Sequence, residues 1–188
     1  MNLDVDGASN YLSETIRAIG ELDQGELRQF AEQLDLVREV GGFLWVAGNG
    51  GSASTAAHLA CDVGKGVSKA IGAPIRTLAL NEQMVTQSAW ANDFGFENAL
   101  MNQLRYLVRS QDSLLVISGS GNSENLVNVA RWAKENRMCV MSLLGANGGR
   151  LSEFSTLELR VSSLDQQVIE NVHLVIVHWL FKAMAQAV

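Results

Sequence analysis

The segment SLLVISGSGNSEN, residues 113–125, contains the pattern from which the fold can be predicted. Its first part, SLLVIS (113–118), is mostly apolar and is followed directly by glycine and serine. A short apolar run that ends at glycine predicts a strand buried on both faces, and the residues beyond 123 have helical spacing. The run FLWVAG (43–48) is followed by NGGSAS in the same way. The chain is therefore predicted to repeat a strand, a glycine-rich loop and a helix.

The same alternation continues over the rest of the chain. Further strands are predicted at 75–80, 139–145 and 157–162. Helices are predicted at 52–66, 83–91, 97–109, 123–136 and 165–187. Because helices alternate with strands that are apolar throughout, the fold class is α/β, with a parallel sheet covered on both faces.

The first 40 residues predict a helical arm. Apolar residues recur at helical spacing over 8–39, Gly25 indicates a break between two helices, and Gly41 ends the second. The chain has one proline and no linker rich in serine, glycine and proline. We therefore expect a single domain over 1–188, with the arm at 1–40 and the α/β core at 41–188.

Composition limits the classes of function. The formal net charge is −6, which argues against a dedicated nucleic-acid-binding protein. Two cysteines without a CxxC motif do not make a disulfide framework, so a reducing cytoplasm is the expected compartment. The N-terminal residues lack the basic flank and apolar run of a signal peptide. The most apolar stretch, VHLVIVHWLF (172–181), contains two histidines and is predicted to be a buried helix rather than a membrane span.

Two similar glycine-rich loops are the strongest indication of function. They lie in VAGNGGSAST (46–55) and VISGSGNSEN (116–125), between a strand end and a helix start. Ser52 and Ser123 are candidate N-caps. Exposed N–H groups at a helix N-terminus favour an anion, usually a phosphate, and serine hydroxyls add donors. The alternative is that both are only tight turns. The glycine spacing does not fit a dinucleotide-binding fingerprint, and the GK[ST] of a P-loop is absent.

The histidines and carboxylates suggest a metal or acid–base site. His58 and Asp62 are four residues apart and share a helix face. On the last helix, Glu170 and His178 are separated by about 80°, whereas His173 and His178 are separated by about 140°. We expect His178 to be largely buried and His173 to be a packing or interface residue. If the two helices converge, His58, Asp62, Glu170 and His178 could bind Zn²⁺.

A remaining polar cluster occurs in ANDFGFEN (91–98). Its Asn92 and Asp93 could hydrogen-bond to a polyol, or they could simply form a turn before the next helix.

Taken together, GNGGSASTAAHLACD, AWANDFGFEN, ISGSGNS and IENVHLVIVH resemble the sugar isomerase (SIS) domain family, in its phosphoheptose isomerase branch. The resemblance covers nearly the whole chain. It implies a three-layer sandwich with a five-stranded parallel sheet flanked by helices, and a homotetramer with sites at subunit interfaces. It also implies conversion of sedoheptulose 7-phosphate to D-glycero-D-manno-heptose 7-phosphate through an enediol.

The resemblance also implies roles for individual residues. Asp62 falls at the position of the catalytic base and His178 at that of its partner acid, and a zinc site falls on His58, Asp62, Glu170 and His178. The phosphate would be held by the second loop and the rest of the sugar by the first loop and the Asn92–Asp93 pair. The implied substrate-binding residues are Asn49, Gly50, Ser52, Asn92, Asp93, Ser118, Gly119, Ser120, Ser123 and Glu170.

Two positions depart from the family pattern, which usually has Glu where this chain has Asp62 and Gln where it has Glu170. The shorter Asp62 sets its carboxylate back by about 1 Å, a displacement that can cost on the order of 10²-fold in rate. Glu170 adds a negative charge that favours a divalent cation. The two changes could compensate, with Glu170 acting as the base, or could mark a different phosphosugar. Lys65 is the nearest match to a basic residue that the family uses near the phosphate.

Two other functions are considered. A non-catalytic SIS tetramer that binds a protein partner, as one relative binds the bacterial replication initiator, is suggested by the altered positions 62 and 170. The presence of His178 and of the GSGNS loop favours the enzyme. A phosphosugar-sensing regulatory domain is disfavoured, because only about 40 residues, with an acidic net charge, precede the first strand, where a DNA-binding domain would be expected.

Overall fold

A computed structural model describes residues 7–186 as a central sheet between two layers of helices. The sheet has five parallel strands in the order β2-β1-β3-β4-β5. The strands are β1 (Phe43–Gly48), β2 (Arg76–Ala79), β3 (Ser113–Ser118), β4 (Cys139–Gly145) and β5 (Leu157–Val161). The predicted α/β class and five-stranded parallel sheet are confirmed.

Helices cover both faces of the sheet, and those between β1 and β4 connect successive strands. In chain order they are α1 (Ala8–Gly20), α2 (Gln24–Glu39), α3 (Gly51–Cys61), α4 (Ser68–Ile71), α5 (Met84–Phe94), α6 (Phe96–Arg105), α7 (Glu124–Glu135) and α8 (Gln166–Ala185). A π-helical turn, Asp62–Val67, joins α3 to α4, and short 3₁₀ turns lie at Leu80–Glu82 and Gly149–Glu153.

Alternate residues of each strand point to opposite layers, which explains why the three inner strands β1, β3 and β4 are mostly apolar, whereas the edge strands β2 and β5 also carry charged residues. Val46 of β1 packs in the core formed with α2, α3 and α8. Its neighbours Trp45 and Ala47 pack in the other core, with α6 and α7. Both faces of the sheet are therefore buried, as the sequence predicts.

Asp112 stabilises the end of the sheet at which the strands begin. Its buried carboxylate accepts hydrogen bonds from the Phe43 N–H (2.9 Å), the Trp45 indole N–H (3.0 Å) and the Arg109 N–H (2.9 Å). These bonds tie the first residues of β1 to the loop before β3. The glycine-rich loops lie at the opposite end of the sheet.

The helical arm is present, but the predicted position of its break is wrong. The break lies before Gly25, because Asp23 caps α2 by accepting a hydrogen bond from the Glu26 N–H at 2.8 Å. Gly25 lies inside the first turn of α2. The arm contributes Ala18 and Phe30 to the core that contains α8.

Helix α8 is the one helix within residues 7–186 that is long and apolar enough to cross a membrane by length and composition. Many of its apolar residues, including Val172, Ile176 and Leu180, are buried in the core against the sheet and the arm. The buried helix of a protein core passes the same test of length and composition. The prediction of a buried core helix is confirmed for these residues.

His173 lies fully buried on α8, in agreement with a packing role. Its Nε2 is 3.3 Å from the Leu144 carbonyl oxygen, and its Nδ1 has no hydrogen-bond partner in the described part of the chain. Burial lowers the pKa of His173 to about 4, and the backbone contact offsets this effect only in part. The folded protein therefore keeps this imidazole neutral.

The buried His173 predicts a loss of stability in mild acid. Between pH 6.5 and pH 4 the unfolded chain binds a proton at this residue and the folded chain does not, so stability falls as the pH falls. The contribution to the free energy of unfolding is about 3 kcal/mol over this range. Denaturant unfolding of the wild type and of His173→Gln at both pH values measures it. The variant should lose less stability than the wild type, and equal losses would contradict the prediction.

Candidate active site

The second glycine-rich loop leads from the end of β3 into α7 and holds itself in shape. The Ser118 hydroxyl accepts a hydrogen bond from the Gly121 N–H at 3.1 Å, and the Ser120 hydroxyl accepts one from the Asn122 N–H at 3.2 Å. Ser123 is the N-cap residue of α7, as predicted, although its hydroxyl makes no capping hydrogen bond. The loop therefore brings a helix N-terminus and serine hydroxyls together, an arrangement that suits an anion.

The turn that follows β4 supports this loop from the other side. Gly121 has φ +65°, and a Cβ atom at this position would overlap the carbonyl oxygen of Gly148. Arg150 donates from its backbone N–H to Asn122 Oδ1 at 3.1 Å and from its guanidinium to the Asn122 carbonyl oxygen at 3.0 Å. The guanidinium also pairs with Glu124 at 2.6 Å, and this pairing lowers the pKa of that carboxyl.

Arg150 is thus the basic residue that contacts the second loop, and sequence reasoning missed it. Lys65, the candidate chosen from the sequence, lies exposed on the π-helical turn after α3. Arg150 follows a separate turn, GANGGR (145–150), and only the parallel order of β3 and β4 brings that turn beside the loop.

The first loop is joined to the second by a pair of amides. Asn49 Nδ2 donates to Asn125 Oδ1 at 2.8 Å, and Asn125 Nδ2 donates back to Asn49 Oδ1 at 2.9 Å. Asn125 is 1% exposed, and it is a second residue that sequence reasoning missed. The prediction that Ser52 is an N-cap is wrong: Gly50 holds that position, and Ser52 is buried in the first turn of α3.

His58, Asp62 and His178 form one cluster where α3 and α8 meet. His178 Nε2 is 3.0 Å from His58 Nε2, and His58 Nε2 is 3.3 Å from Asp62 Oδ2. One potential ligand atom from each residue lies within 4.8 Å of the others. The two helices do converge, which could be stated only as a condition from the sequence, but the prediction that His178 is largely buried is wrong. Its side chain is exposed, because the junction with His58 opens to solvent.

Glu170 does not lie in this cluster. It precedes His178 by eight residues, a rise of about 12 Å along α8. Its carboxylate lies instead against the start of α3, where a Cβ at Gly51 would overlap it. The Gln166 amide donates to its Oε1 at 2.9 Å. Within the described chain, three of the four predicted metal ligands therefore come together, and the fourth lies at the first loop.

Asn92 and Asp93 are exposed on α5 and hydrogen-bond to each other at 3.0 Å. Helix α5 packs mainly against α6, and it has no buried residue. Neither side chain hydrogen-bonds to the two loops within residues 7–186. Their predicted contact with a sugar stays a prediction.

This fold and site define a class of protein, and comparison with known proteins identifies it. The profile of the SIS domain family matches residues 9–145. The chain belongs to the SIS domain family, and the resemblance predicted from its motifs is confirmed.

Relatives of this chain include several phosphoheptose isomerases. The chain is 34% identical over 157 residues to the phosphoheptose isomerase of Helicobacter pylori, covering 84% of this chain and 81% of the relative. It is 36% identical over 140 residues to that of Rhodospirillum rubrum, covering 74% of each chain. The solved structure of a phosphoheptose isomerase from Francisella tularensis superposes with a TM-score of 0.91 at 29% identity, covering 98% of this chain and 100% of that one.

Proposed function

We propose that this protein is an aldose–ketose isomerase that converts sedoheptulose 7-phosphate to D-glycero-D-manno-heptose 7-phosphate through an enediol. The observation that carries the proposal is the meeting of His58, Asp62 and His178 in a chain whose second loop is built for an anion. The proposal agrees with the names of the relatives, which are phosphoheptose isomerases. An aldose–ketose isomerisation requires a base that removes a proton from carbon, a group that donates a proton to oxygen, and contacts that hold the phosphate.

In this proposal the second loop binds the phosphate through Ser118, Gly119, Ser120 and Ser123. The N–H groups at the start of α7 add their partial positive charge. Asn49 and Gly50 contact the sugar from the first loop, and Ser52 supports that loop from the first turn of α3. The reciprocal amides of Asn49 and Asn125 then fix the sugar site relative to the phosphate site.

The carboxylates of Asp62 and Glu170 lie in different places and are assigned different roles. Asp62 is engaged with His58 at 3.3 Å, whereas Glu170 lies apart from the cluster, half-buried beside the N-terminus of α3. That position favours a negative charge. We assign to Glu170 the removal of the proton beside the carbonyl and its return to the neighbouring carbon. His178 Nε2, paired with His58 Nε2, moves a proton at the carbonyl oxygen. Each such transfer contributes about 10²–10⁴-fold in rate.

The cluster also fits a divalent metal, most simply Zn²⁺. Two imidazoles and a carboxylate within 4.8 Å of one another are the donors that Zn²⁺ prefers, and they leave a position free for substrate. His58, Asp62 and His178 would hold the ion, whereas Glu170 would not. When bound, a metal here would stabilise negative charge on the carbonyl oxygen in place of the proton from His178, because an imidazole nitrogen that ligates a metal cannot also donate a proton.

Proton exchange followed by NMR tests the proposed function. Protein is incubated with sedoheptulose 7-phosphate in D₂O, first with Zn²⁺ and then with EDTA. Deuterium at the carbon beside the carbonyl, together with a new aldose signal, is the expected result, and loss of both signals in EDTA supports the metal site. Binding without exchange, seen as line broadening, would contradict this substrate. A panel of other phosphosugars, followed by a search for a protein partner, would then separate a different isomerase from a non-catalytic module.

We infer that the protein forms a homotetramer with its sites at subunit interfaces. Helix α5 supports this inference: Met84 and Val85 are 75% and 84% exposed, and they line an open groove of about 750 Å³ that reaches Asn92. A helix that exposes this much apolar surface is stabilised when a second copy covers it. Such a contact would also bring Asn92 and Asp93 to a neighbouring site. A single domain and a cytoplasmic location, in keeping with the free Cys61 and Cys139, complete the proposal.

The oligomer predicts a specific effect of a charge on α5. Val85→Glu would bury a carboxylate in the subunit contact, so we expect a smaller particle in light scattering and a loss of turnover. The fold should remain, because the Val85 side chain is 84% exposed. Val40→Glu, at another exposed apolar position, is the matched control. A Val85→Glu protein of unchanged size would contradict an interface on α5.

A further inference from the structure

The side chain of Gln166 lies between the two parts of the site. Its amide donates to Glu170 Oε1 at 2.9 Å, across one turn of α8. The same amide covers Gly119 of the second loop so closely that a Cβ at position 119 would overlap it. Gln166 therefore contacts both the carboxylate and the loop.

The backbone at Gln166 is fixed as well. Asp165 caps α8 by accepting hydrogen bonds from the Gln167 N–H at 2.8 Å and the Val168 N–H at 3.2 Å. Gln166 is thus the first residue of α8, at a point that the cap determines. Its side chain lines a cavity of about 250 Å³ together with Gly119, Ser120 and Asn122.

We propose that Gln166 is a positioning residue that couples the phosphate loop to Glu170. A donor on Oε1 restricts rotation of the Glu170 carboxylate, and contact with Gly119 sets where that donor stands relative to the phosphate. The base and the phosphate are thereby held at a fixed separation, which proton transfer at one particular carbon of the sugar requires. This inference rests on the proposed function.

Two effects follow from removing the donor. First, a charge-assisted hydrogen bond is lost, and with it about tenfold in kcat. Second, the Glu170 carboxylate becomes free to rotate away from the reacting carbon, so kcat falls while the KM for the sugar phosphate, which depends on the loop, stays unchanged. A residue with a purely structural role would change KM or the free energy of unfolding as well.

The test compares Gln166→Met, which keeps the length of the side chain and loses the donor, with Gln29→Met at an exposed position on α2. Turnover is followed by proton exchange with sedoheptulose 7-phosphate, and binding by titration with inorganic phosphate. For Gln166→Met we expect about a tenfold fall in kcat, with an unchanged KM and an unchanged phosphate affinity. Gln166→Glu, which places a second carboxylate beside Glu170, should lose at least as much.

Several outcomes would overturn the proposal. An unchanged kcat in Gln166→Met, with the wild type active, would refute the positioning role and leave the proposed function intact. A weakened phosphate affinity with full kcat would assign Gln166 to the loop alone. Absence of exchange in the wild type and in Gln29→Met, with every phosphosugar tested, would overturn both the proposed function and this inference.

Discussion

His178→Gln is expected to lower turnover by about 10²–10⁴-fold while the protein still binds sugar phosphate. The substitution removes the imidazole whose Nε2 lies 3.0 Å from His58 Nε2, and with it one of the three donors available to a metal. The second loop, to which we assign phosphate binding, is formed by other residues, 118–123, so the affinity for inorganic phosphate should persist. The side chain is exposed, and its loss should leave the free energy of unfolding nearly unchanged.

Lys182→Gln provides the control for this prediction, because it changes an exposed side chain one turn further along α8. Turnover is measured by proton exchange, and binding by phosphate titration of the same samples. If His178→Gln retained full turnover, neither a proton-transfer role nor a metal role for His178 could stand.

Gly121→Ala is expected to disable the second loop. The residue has φ +65°, which costs an alanine about 1–2 kcal/mol. In addition, the new Cβ overlaps the carbonyl oxygen of Gly148, so the loop or the turn after β4 must move. A displacement of about 1 Å can cost on the order of 10²-fold in kcat/KM, and we expect a loss of that size together with weaker phosphate binding.

Gly72→Ala separates the effect of the positive φ from the effect of the overlap with Gly148. Gly72 has a similar φ of +69°, but a Cβ there meets no atom within 4 Å. The Gly72→Ala variant should therefore have a lower free energy of unfolding, because of backbone strain alone, and an unchanged kcat/KM. Equal kinetic effects of the two substitutions would show that crowding at Gly148 does not determine the loop geometry.

The parts of the structure that depend on local pattern were predictable from the sequence. The five strands were predictable because short apolar runs can be recognised within a few residues, and both glycine-rich loops because glycine stands at the end of two of those runs. The convergence of His58 with His178 could only be stated as a condition, since it depends on how α3 and α8 pack. The exposure of His178 depends on that packing too, and the apolar residues around it predicted the opposite.

Contacts between segments that are distant along the chain could not be predicted from the sequence. Asn125 pairs with Asn49 across 76 positions, and Arg150 reaches Asn122 from a turn that follows a different strand. Neither residue type nor spacing indicates such a partner. The break before α2 was misplaced for a local reason: the capping hydrogen bond of Asp23 outweighed the conformational freedom of Gly25.

The three hydrogen bonds that Asp112 accepts secure the end of the sheet opposite the loops. The hydrogen bonds that stabilise the sheet and the loops proposed to bind substrate therefore lie at opposite ends of it. Substitutions in the glycine-rich loops can therefore change the substrate specificity without breaking the hydrogen bonds at the start of β1 and β3. Substrate specificity can therefore evolve in a protein that stays folded. Substitutions near Asp112 that increase stability should likewise leave the activity unchanged.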